Sequence, residues 1–253
     1  MSTAMTMGVR MAELHVLPTK EEAAQAKALF VAALAKECSA SNGRFTIALS
    51  GGSTPRRLYE VLASPPYSKE IAWDRWQVFW SDDRCVPPGH QDSNYRMAKE
   101  VLLDHVTIPD TNVHRMRGED DPHEAAQAYE AVVREVFQSP APSFDLVLLG
   151  IGDDGHTASL FPGTEALREQ DRLVVDNWVP GLQVHRITFT LPLINAAKVV
   201  AFLDTDETKA GVLRQVLEPA AGEEAPPSGL VRPSSGVVHW FLTTEAAGRL
   251  GAA

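Results

Sequence analysis

The chain has 253 residues, 44% of them hydrophobic, and a formal net charge of −10. This size allows one large core or two closely joined ones. The acidic charge argues against nucleic acid and anionic membranes as general partners, and no run of about 18 apolar residues could span a bilayer. The first residues lack an apolar signal region, and two cysteines, Cys38 and Cys85, are too few for a disulfide framework. We therefore expect a cytoplasmic protein.

Helix and strand signals alternate along the chain, which favours an α/β fold. The first helix is predicted to open at a capping box, Thr19–Glu22, and to end at Asn42-Gly43. Asp121 and Pro122 predict the start of a later helix. Further helices are predicted over residues 55–62, 94–103 and 207–217, and strands over residues 45–49, 76–80, 144–149, 173–175, 187–190, 199–203 and 237–242.

The chain shows no internal repeat, and we predict a single domain over residues 11–253. A flexible leader is expected over residues 1–10, with Met11 as an alternative start. Within the domain we expect a small subdomain between about residues 85 and 140.

The segment from Phe144 to Pro162 is the most informative one. Its apolar run predicts a buried strand, and closely spaced glycines predict a tight turn that delivers His156. A short helical segment is expected after that histidine. Open α/β sheets bind ligands at the carboxyl ends of their strands. We therefore predict a functional site here, with His156 as the first candidate for proton transfer.

The same glycines, at positions 150, 152 and 155, also satisfy the dinucleotide-binding pattern G-x-G-x-x-G, with Asp176 at a suitable distance downstream. A genuine dinucleotide site needs a long helix that opens at the third glycine. Here Pro162-Gly163 interrupts after about two turns, because proline removes a backbone donor. Asp153 and Asp154 would also repel a pyrophosphate. The nicotinamide interpretation is therefore disfavoured.

A second segment, Ser50 to Pro55, reads as a glycine turn between a strand and a helix. Backbone N–H groups, the positive helix end and three hydroxyls together form a cradle for an anion, most naturally a phosphate. The alternative is an ordinary turn with a hydroxyl cap. The candidate binding residues are Ser50, Gly51, Gly52, Ser53 and Thr54.

Three further places carry charged side chains near predicted strand ends or helix starts. Arg84, close to Asp82 and Asn94, suits a phosphate or an oxyanion, although a surface ion pair is the alternative. Arg186 and Lys209 are similar candidates, and a solvated side chain is the default for an isolated lysine. No histidine pair has zinc-ligand spacing, so we predict neither a metal nor a cofactor.

In combination these motifs resemble 6-phosphogluconolactonases. The match comprises Ser50–Pro55, Trp80–Arg84, Ser93-Asn94-Tyr95, Gly150–Pro162, Arg186-Ile187-Thr188, Ile194-Asn195 and Lys209, in the right order along the chain. The related glucosamine-6-phosphate deaminases share Asp-Gly-His but continue with an Asn-Glu-Pro-type sequence. The continuation from His156 to Pro162 here favours the lactonases.

The resemblance implies a largely parallel, Rossmann-like three-layer α/β sheet of the sugar-phosphate isomerase/lactonase type, with a small subdomain. It implies hydrolysis of 6-phospho-D-glucono-1,5-lactone to 6-phosphogluconate in the oxidative pentose phosphate pathway. The partners so implied are the sugar-phosphate substrate and, through functional coupling, glucose-6-phosphate dehydrogenase. A glucosamine-6-phosphate deaminase, another sugar-phosphate isomerase and a non-catalytic sugar-phosphate sensor are the alternatives.

The resemblance also implies roles for individual residues. His156 would act as general base and Asp154 would orient it. The candidate substrate and phosphate partners are Ser50, Gly51, Gly52, Ser53, Thr54, Asp82, Arg84, Asn94, Gly152, Gly155, Arg186 and Lys209. Two positions depart from the family pattern: Asp83 replaces the usual glutamate, and Asp206 replaces a glycine shortly before Lys209. These departures place an orienting contact and the local loop geometry in question.

Overall fold

The computed structural model describes residues 2–7, 10–220 and 222–251. Its strands are β1 (Ser2–Met7), β2 (Arg10–Leu17), β3 (Phe45–Leu49), β4 (Trp76–Trp80), β5 (Asp82–Arg84), β6 (Leu146–Leu149), β7 (Val174–Val179), β8 (Val184–Phe189), β9 (Val199–Asp204) and β10 (Val237–Thr243). Its α-helices are α1 (Lys20–Asn42), α2 (Ser53–Leu62), α3 (Tyr67–Glu70), α4 (Asn94–Val101), α5 (Pro122–Phe137), α6 (Leu191–Asn195) and α7 (Ala210–Leu217).

The main sheet has seven strands in the order β1-β2-β10-β9-β6-β3-β4. Every neighbouring pair is parallel except β1 with β2. A smaller antiparallel sheet has the order β5-β8-β7. This largely parallel sheet between two outer layers confirms the predicted α/β class.

Two apolar clusters cover the two faces of the main sheet. Helices α1, α2 and α4 pack on one face, around Trp76 and Trp80. Helices α5 and α7 and the small sheet pack on the other face, around Phe144 and Phe189. The inner strands β3 and β6 are buried along their whole length, as expected for strands covered on both faces.

Local capping signals fix several helix ends as predicted. The Thr19 hydroxyl accepts a hydrogen bond from the Glu22 N–H, and Gly43 ends α1 in the left-handed conformation at φ 73°. Asp121 accepts from two N–H groups at the start of α5. The helix predicted over 207–217 begins as a 3₁₀ turn, Glu207–Lys209, and continues as α7.

The amino-terminal strands were not predicted. Of the leader expected over residues 1–10, positions 1, 8 and 9 lie outside the described residues, and the backbone of Ser2–Met7 pairs with β2. The single-domain boundaries and the subdomain near residues 85–140 stay predictions. None of the described helices is long and apolar enough to cross a membrane.

Candidate active site

The sheet topology brings the separate sequence motifs to one edge. Strand β3 lies between β4 and β6, and β6 lies between β3 and β9. The chain proceeds from β3 outward to β4 and then crosses to β6 on the other side, so β3 and β6 form a topological switch point. Ligands bind beyond the carboxyl ends of strands at such a point. The loops after β3, β6 and β9 meet there.

The loop after β3 leads directly into α2. Gly52 adopts φ 106°, a conformation that side chains rarely allow, and precedes a helix start that has no side-chain cap. Gly51 lies so close to Asn94 that a Cβ there would be 1.7 Å from Oδ1. The Tyr59 hydroxyl fixes Ser50 through hydrogen bonds with its N–H and its carbonyl oxygen, at 3.0 and 2.8 Å. The positive end of α2 therefore faces the loop in a fixed position.

The loop after β6 presents His156. Asp154 Oδ1 lies 2.6 Å from His156 Nδ1 and also accepts a hydrogen bond from the His156 N–H at 3.0 Å. The His156 ring stacks on Phe161, with centroids 4.1 Å apart. When Nδ1 carries a proton for the carboxylate, Nε2 is the basic nitrogen. Although partial burial opposes it, hydrogen bonding to His156 lowers the pKa of Asp154 below its ordinary value.

The short helix expected after His156 does not form. Ala158 takes a positive φ of 48°, and Thr157 and Leu160 pair in a tight bridge. The next residue, Ser159, is held by tertiary hydrogen bonds: its hydroxyl donates to Asp82 Oδ2 at 2.7 Å. Its N–H donates to the Thr188 hydroxyl at 3.1 Å. These contacts compete with helical hydrogen bonding, and no sequence motif indicates them.

Two arginines face each other across the small sheet. Arg84 on β5 is in register with Arg186 on β8. The Nε atoms of both are buried and have no hydrogen-bond partner among the described residues. Burial first, and then the charge of Arg84, lowers the pKa of Arg186. Two adjacent, partly desolvated cations are unfavourable by themselves and favour binding of an anion.

Two buried carboxylates hold the surrounding backbone. Asp82 accepts from Ser159, and its carbonyl oxygen accepts from the Asn94 side-chain amide at 2.9 Å. Asp83 accepts from three backbone N–H groups, those of Arg84, Asn94 and Tyr95. Burial raises the pKa of Asp83 to about 6. The shorter side chain at position 83 therefore orients the backbone at all three of these positions.

Lys209 belongs to the 3₁₀ turn that follows β9. Its ammonium group donates to the Ile151 carbonyl oxygen at 2.7 Å, which ties it to the His156 loop. Asp206 caps this turn by accepting from the Thr208 N–H and hydroxyl, at 3.0 and 2.8 Å. Its backbone is extended, at φ −106°, so glycine is not needed there. The second departure from the family pattern therefore leaves Lys209 in the cavity.

These groups surround one cleft of about 940 Å³. Of the predicted site residues, the following line it: Ser50, Gly51, Gly52, Ser53, Thr54, Asp82, Arg84, Asn94, Gly152, Asp154, His156, Arg186 and Lys209. Gly155 does not line the cleft. It has φ 78° and packs behind the loop, where a Cβ would lie 2.4 Å from Pro226. Its role is to shape the turn that carries His156.

Sequence reasoning missed part of the cleft. The end of β7 contributes Val179, and the hairpin turn between β7 and β8 contributes Pro180, Gly181 and Leu182. Asn177 supports the His156 loop by donating to the Ser159 carbonyl oxygen and the Thr164 hydroxyl, at 2.8 and 3.0 Å. Neither the turn nor this asparagine lies in a recognisable motif, because their importance comes from pairing across the small sheet.

Comparison with known proteins places this geometry in a family. Residues 18–240 match the family model described as glucosamine-6-phosphate isomerases/6-phosphogluconolactonase. The chain belongs to this family. A 6-phosphogluconolactonase from a Nostoc species is 46% identical over 212 residues, which are 82% of this chain and 85% of that protein.

Other members of the glucosamine-6-phosphate isomerase/6-phosphogluconolactonase family extend the match. A probable 6-phosphogluconolactonase from Arabidopsis thaliana is 35% identical over 94% of this chain and 93% of its own length. The structure of 6-phosphogluconolactonase from Trypanosoma cruzi superposes with a TM-score of 0.87 at 30% identity, over 98% of this chain and 99% of that one. The family predicted from the motifs is confirmed.

Proposed function

We propose that this chain hydrolyses 6-phospho-D-glucono-1,5-lactone to 6-phospho-D-gluconate, the step of the oxidative pentose phosphate pathway that opens the lactone. The relatives that match most of the chain bear the name of this activity. The observation that carries the proposal is the Asp154–His156 pair in a cleft that also holds Arg84 and Arg186. We further propose that the enzyme works in the cytoplasm, functionally coupled to glucose-6-phosphate dehydrogenase.

His156 activates water in the proposed mechanism. A lactone is an activated ester, so water can attack its carbonyl carbon directly. His156 Nε2 accepts the proton of the attacking water while Asp154 stabilises the resulting imidazolium, which is worth about 10²–10⁴ in rate. The tetrahedral intermediate collapses, the bond to the ring oxygen breaks, and the imidazolium returns the proton to that oxygen. The carboxylic acid so formed then loses its proton to solvent.

The cations have different neighbours, and we infer different roles for them. Gly51 packs on Asn94, and Asn94 donates to the Asp82 carbonyl oxygen, two residues before Arg84. The α2 amino end and the arginine pair therefore form one anion site, which we assign to the phosphate. Lys209 contacts the loop of His156 instead, through Ile151. We assign it to the reacting end, where a cation stabilises the oxyanion.

Proton release from freshly generated 6-phosphogluconolactone tests the proposed function. The purified protein should release acid well above the spontaneous rate, and the product should be 6-phosphogluconate. Glucosamine 6-phosphate serves as the second substrate in the same experiment. Ammonia release from it, without acceleration of lactone hydrolysis, would establish the deaminase alternative. Binding of phosphogluconate without turnover of either compound would establish a sensor.

A further inference from the structure

A second cluster of chemically active side chains lies between β2 and β10, at the far side of the main sheet from β3 and β4. Glu13 and His15 are two residues apart on β2 and so project from the same face. His239 on β10 is in register with Glu13. One ligand atom from each of these residues lies within 4.8 Å of the others. None of the three lines the substrate cleft.

The distances within this cluster suit a small metal ion. His15 Nε2 and His239 Nδ1 are 3.1 Å apart, and His239 Nδ1 is 3.6 Å from Glu13 Oε2. Zinc binds nitrogen and carboxylate oxygen at about 2.0–2.1 Å in a tetrahedron, which places neighbouring ligands about 3.3 Å apart. The two measured separations lie on either side of that value. All three ligand atoms lie within 4.8 Å of one another, so rotations of the side chains can direct them at one point.

Aromatic rings hold the two imidazoles. The His15 ring stacks on Phe241 with centroids 4.4 Å apart, and Phe30 from α1 lies 4.5 Å from the His239 ring. His239 is buried, whereas the Glu13 side chain is 36% exposed, which leaves room for water as a fourth ligand. Two ligands are thus fixed by packing, and the third lies on the solvent side.

The donor atoms of the cluster suit a metal cation. Glu13 supplies a carboxylate oxygen and His15 and His239 each supply a ring nitrogen, which binds a metal when its imidazole is neutral. The proton in the His15–His239 hydrogen bond moves to the other nitrogen of its ring when the metal binds. Lys27 on α1 is buried nearby, and its amino group donates to the Ala201 carbonyl oxygen at 2.9 Å.

We propose that Glu13, His15 and His239 form a zinc site that ties strand β2 to β10, separate from the proposed lactonase reaction. No sequence motif indicates this site, because two of its ligands lie near the amino end and His239 lies 224 positions after His15. Zinc is preferred to magnesium or calcium because two of the three ligands are imidazoles.

Metal titration of the full-length protein tests the site. After treatment with a chelator and its removal, Co²⁺ should give the visible absorption of a tetrahedral centre, and Zn²⁺ should displace it. Glu13→Gln and His15→Gln should each weaken Zn²⁺ affinity by at least about 100-fold, since loss of a direct ligand exceeds the 10–100-fold effect of losing a supporting contact. Zn²⁺ should raise the Tm of the wild type and leave that of His15→Gln unchanged.

His105→Gln is the matched control, because it removes an exposed imidazole whose hydrogen bond among the described residues is to the Glu100 carbonyl oxygen. It should bind Zn²⁺ like the wild type. Lactone hydrolysis by Glu13→Gln and His15→Gln should be unchanged, which also shows that they fold. Wild-type affinity for Zn²⁺ no higher than that of the Glu13→Gln/His15→Gln double variant would overturn the proposal, as would loss of binding only in His156→Ala.

Discussion

Gly152 lies directly against the imidazole of His156: a Cβ at position 152 would be 2.1 Å from Nδ1. The Gly152 N–H also donates to the His156 carbonyl oxygen at 2.9 Å. Close approach of the backbone, rather than an unusual φ angle, therefore requires glycine here. The same contact sets the plane of the ring that faces Asp154. The position of the proposed base therefore depends on the absence of a Cβ at Gly152.

Gly152→Ala should displace the His156 ring and lower kcat for lactone hydrolysis by about 10-fold or more, because misplacement of a catalytic group by 1 Å can cost up to about 10². Gly150→Ala is the matched control, since a Cβ at position 150 meets nothing within 4 Å. Because Gly150 lines the cleft, its substitution is expected to change KM rather than kcat. Equal losses of kcat in both variants would contradict this role of Gly152.

His156→Ala should lower kcat by at least about 10² with little change in KM, as expected for loss of a general base. Steady-state kinetics on both proteins measures the two parameters. Near-normal turnover by a folded His156→Ala variant would remove this residue from the mechanism.

Asp154→Asn should also lower kcat, because the neutral amide cannot stabilise an imidazolium and can favour the wrong tautomer of His156. Asp153→Asn is the matched control: this neighbouring aspartate lines the same cleft, but among the described residues the hydrogen bond to His156 Nδ1 comes from Asp154. The kinetic experiment is the same for both variants. A similar kcat for the two would show that Asp154 does not act through the histidine.

Selectivity for the phosphorylated lactone should depend on the arginine pair. Arg84→Ala and Arg186→Ala should each lower kcat/KM for that substrate by about 10- to 100-fold, since a charge-assisted contact is worth roughly 1.5–3 kcal/mol. Unphosphorylated gluconolactone should be affected much less. Arg84→Lys should recover only part of the loss. Arg117→Ala, whose guanidinium pairs with Asp120 outside the cleft, is the control. An unchanged preference in both alanine variants would mean that the phosphate binds elsewhere.

Lys209→Met should behave differently from the arginine variants. If the lysine stabilises the oxyanion, its loss should reduce kcat for the phosphorylated and unphosphorylated lactones by a similar factor, about 10²–10³. Parallel kinetics on the two substrates separate the roles. A loss confined to the phosphorylated lactone would reassign Lys209 to the phosphate site.

Asp83 should make stability depend on pH in a specific direction. Its pKa is raised by burial from 3.8 to about 6, so its favourable contribution is complete below about pH 4 and is lost as the pH rises through 6. From pH 4 to pH 7, the unfolding free energy of the wild type should fall by on the order of 3 kcal/mol relative to that of Asp83→Asn. Urea unfolding at both pH values measures it. A constant difference would refute the assignment.

Features that depend on nearby residues were predictable from the sequence. The helix ends at Thr19, Gly43 and Asp121 use atoms within four residues, and β4 matches its predicted span, Trp76–Trp80. The loops at Ser50 and Gly150 follow apolar runs that predict buried strands, and the order of strands in an α/β sheet places such loops at one edge. The motifs therefore determined the family and most of the cleft.

Only the tertiary structure decided how separate segments pair. The turn after His156 is not helical, because Ser159 bonds to Asp82 and Thr188, which are distant in sequence. Arg84 meets Arg186 through the register of β5 with β8. Pairing between strands carries no local signature, since it is set by hydrogen bonds and burial that exist only once the sheets have assembled.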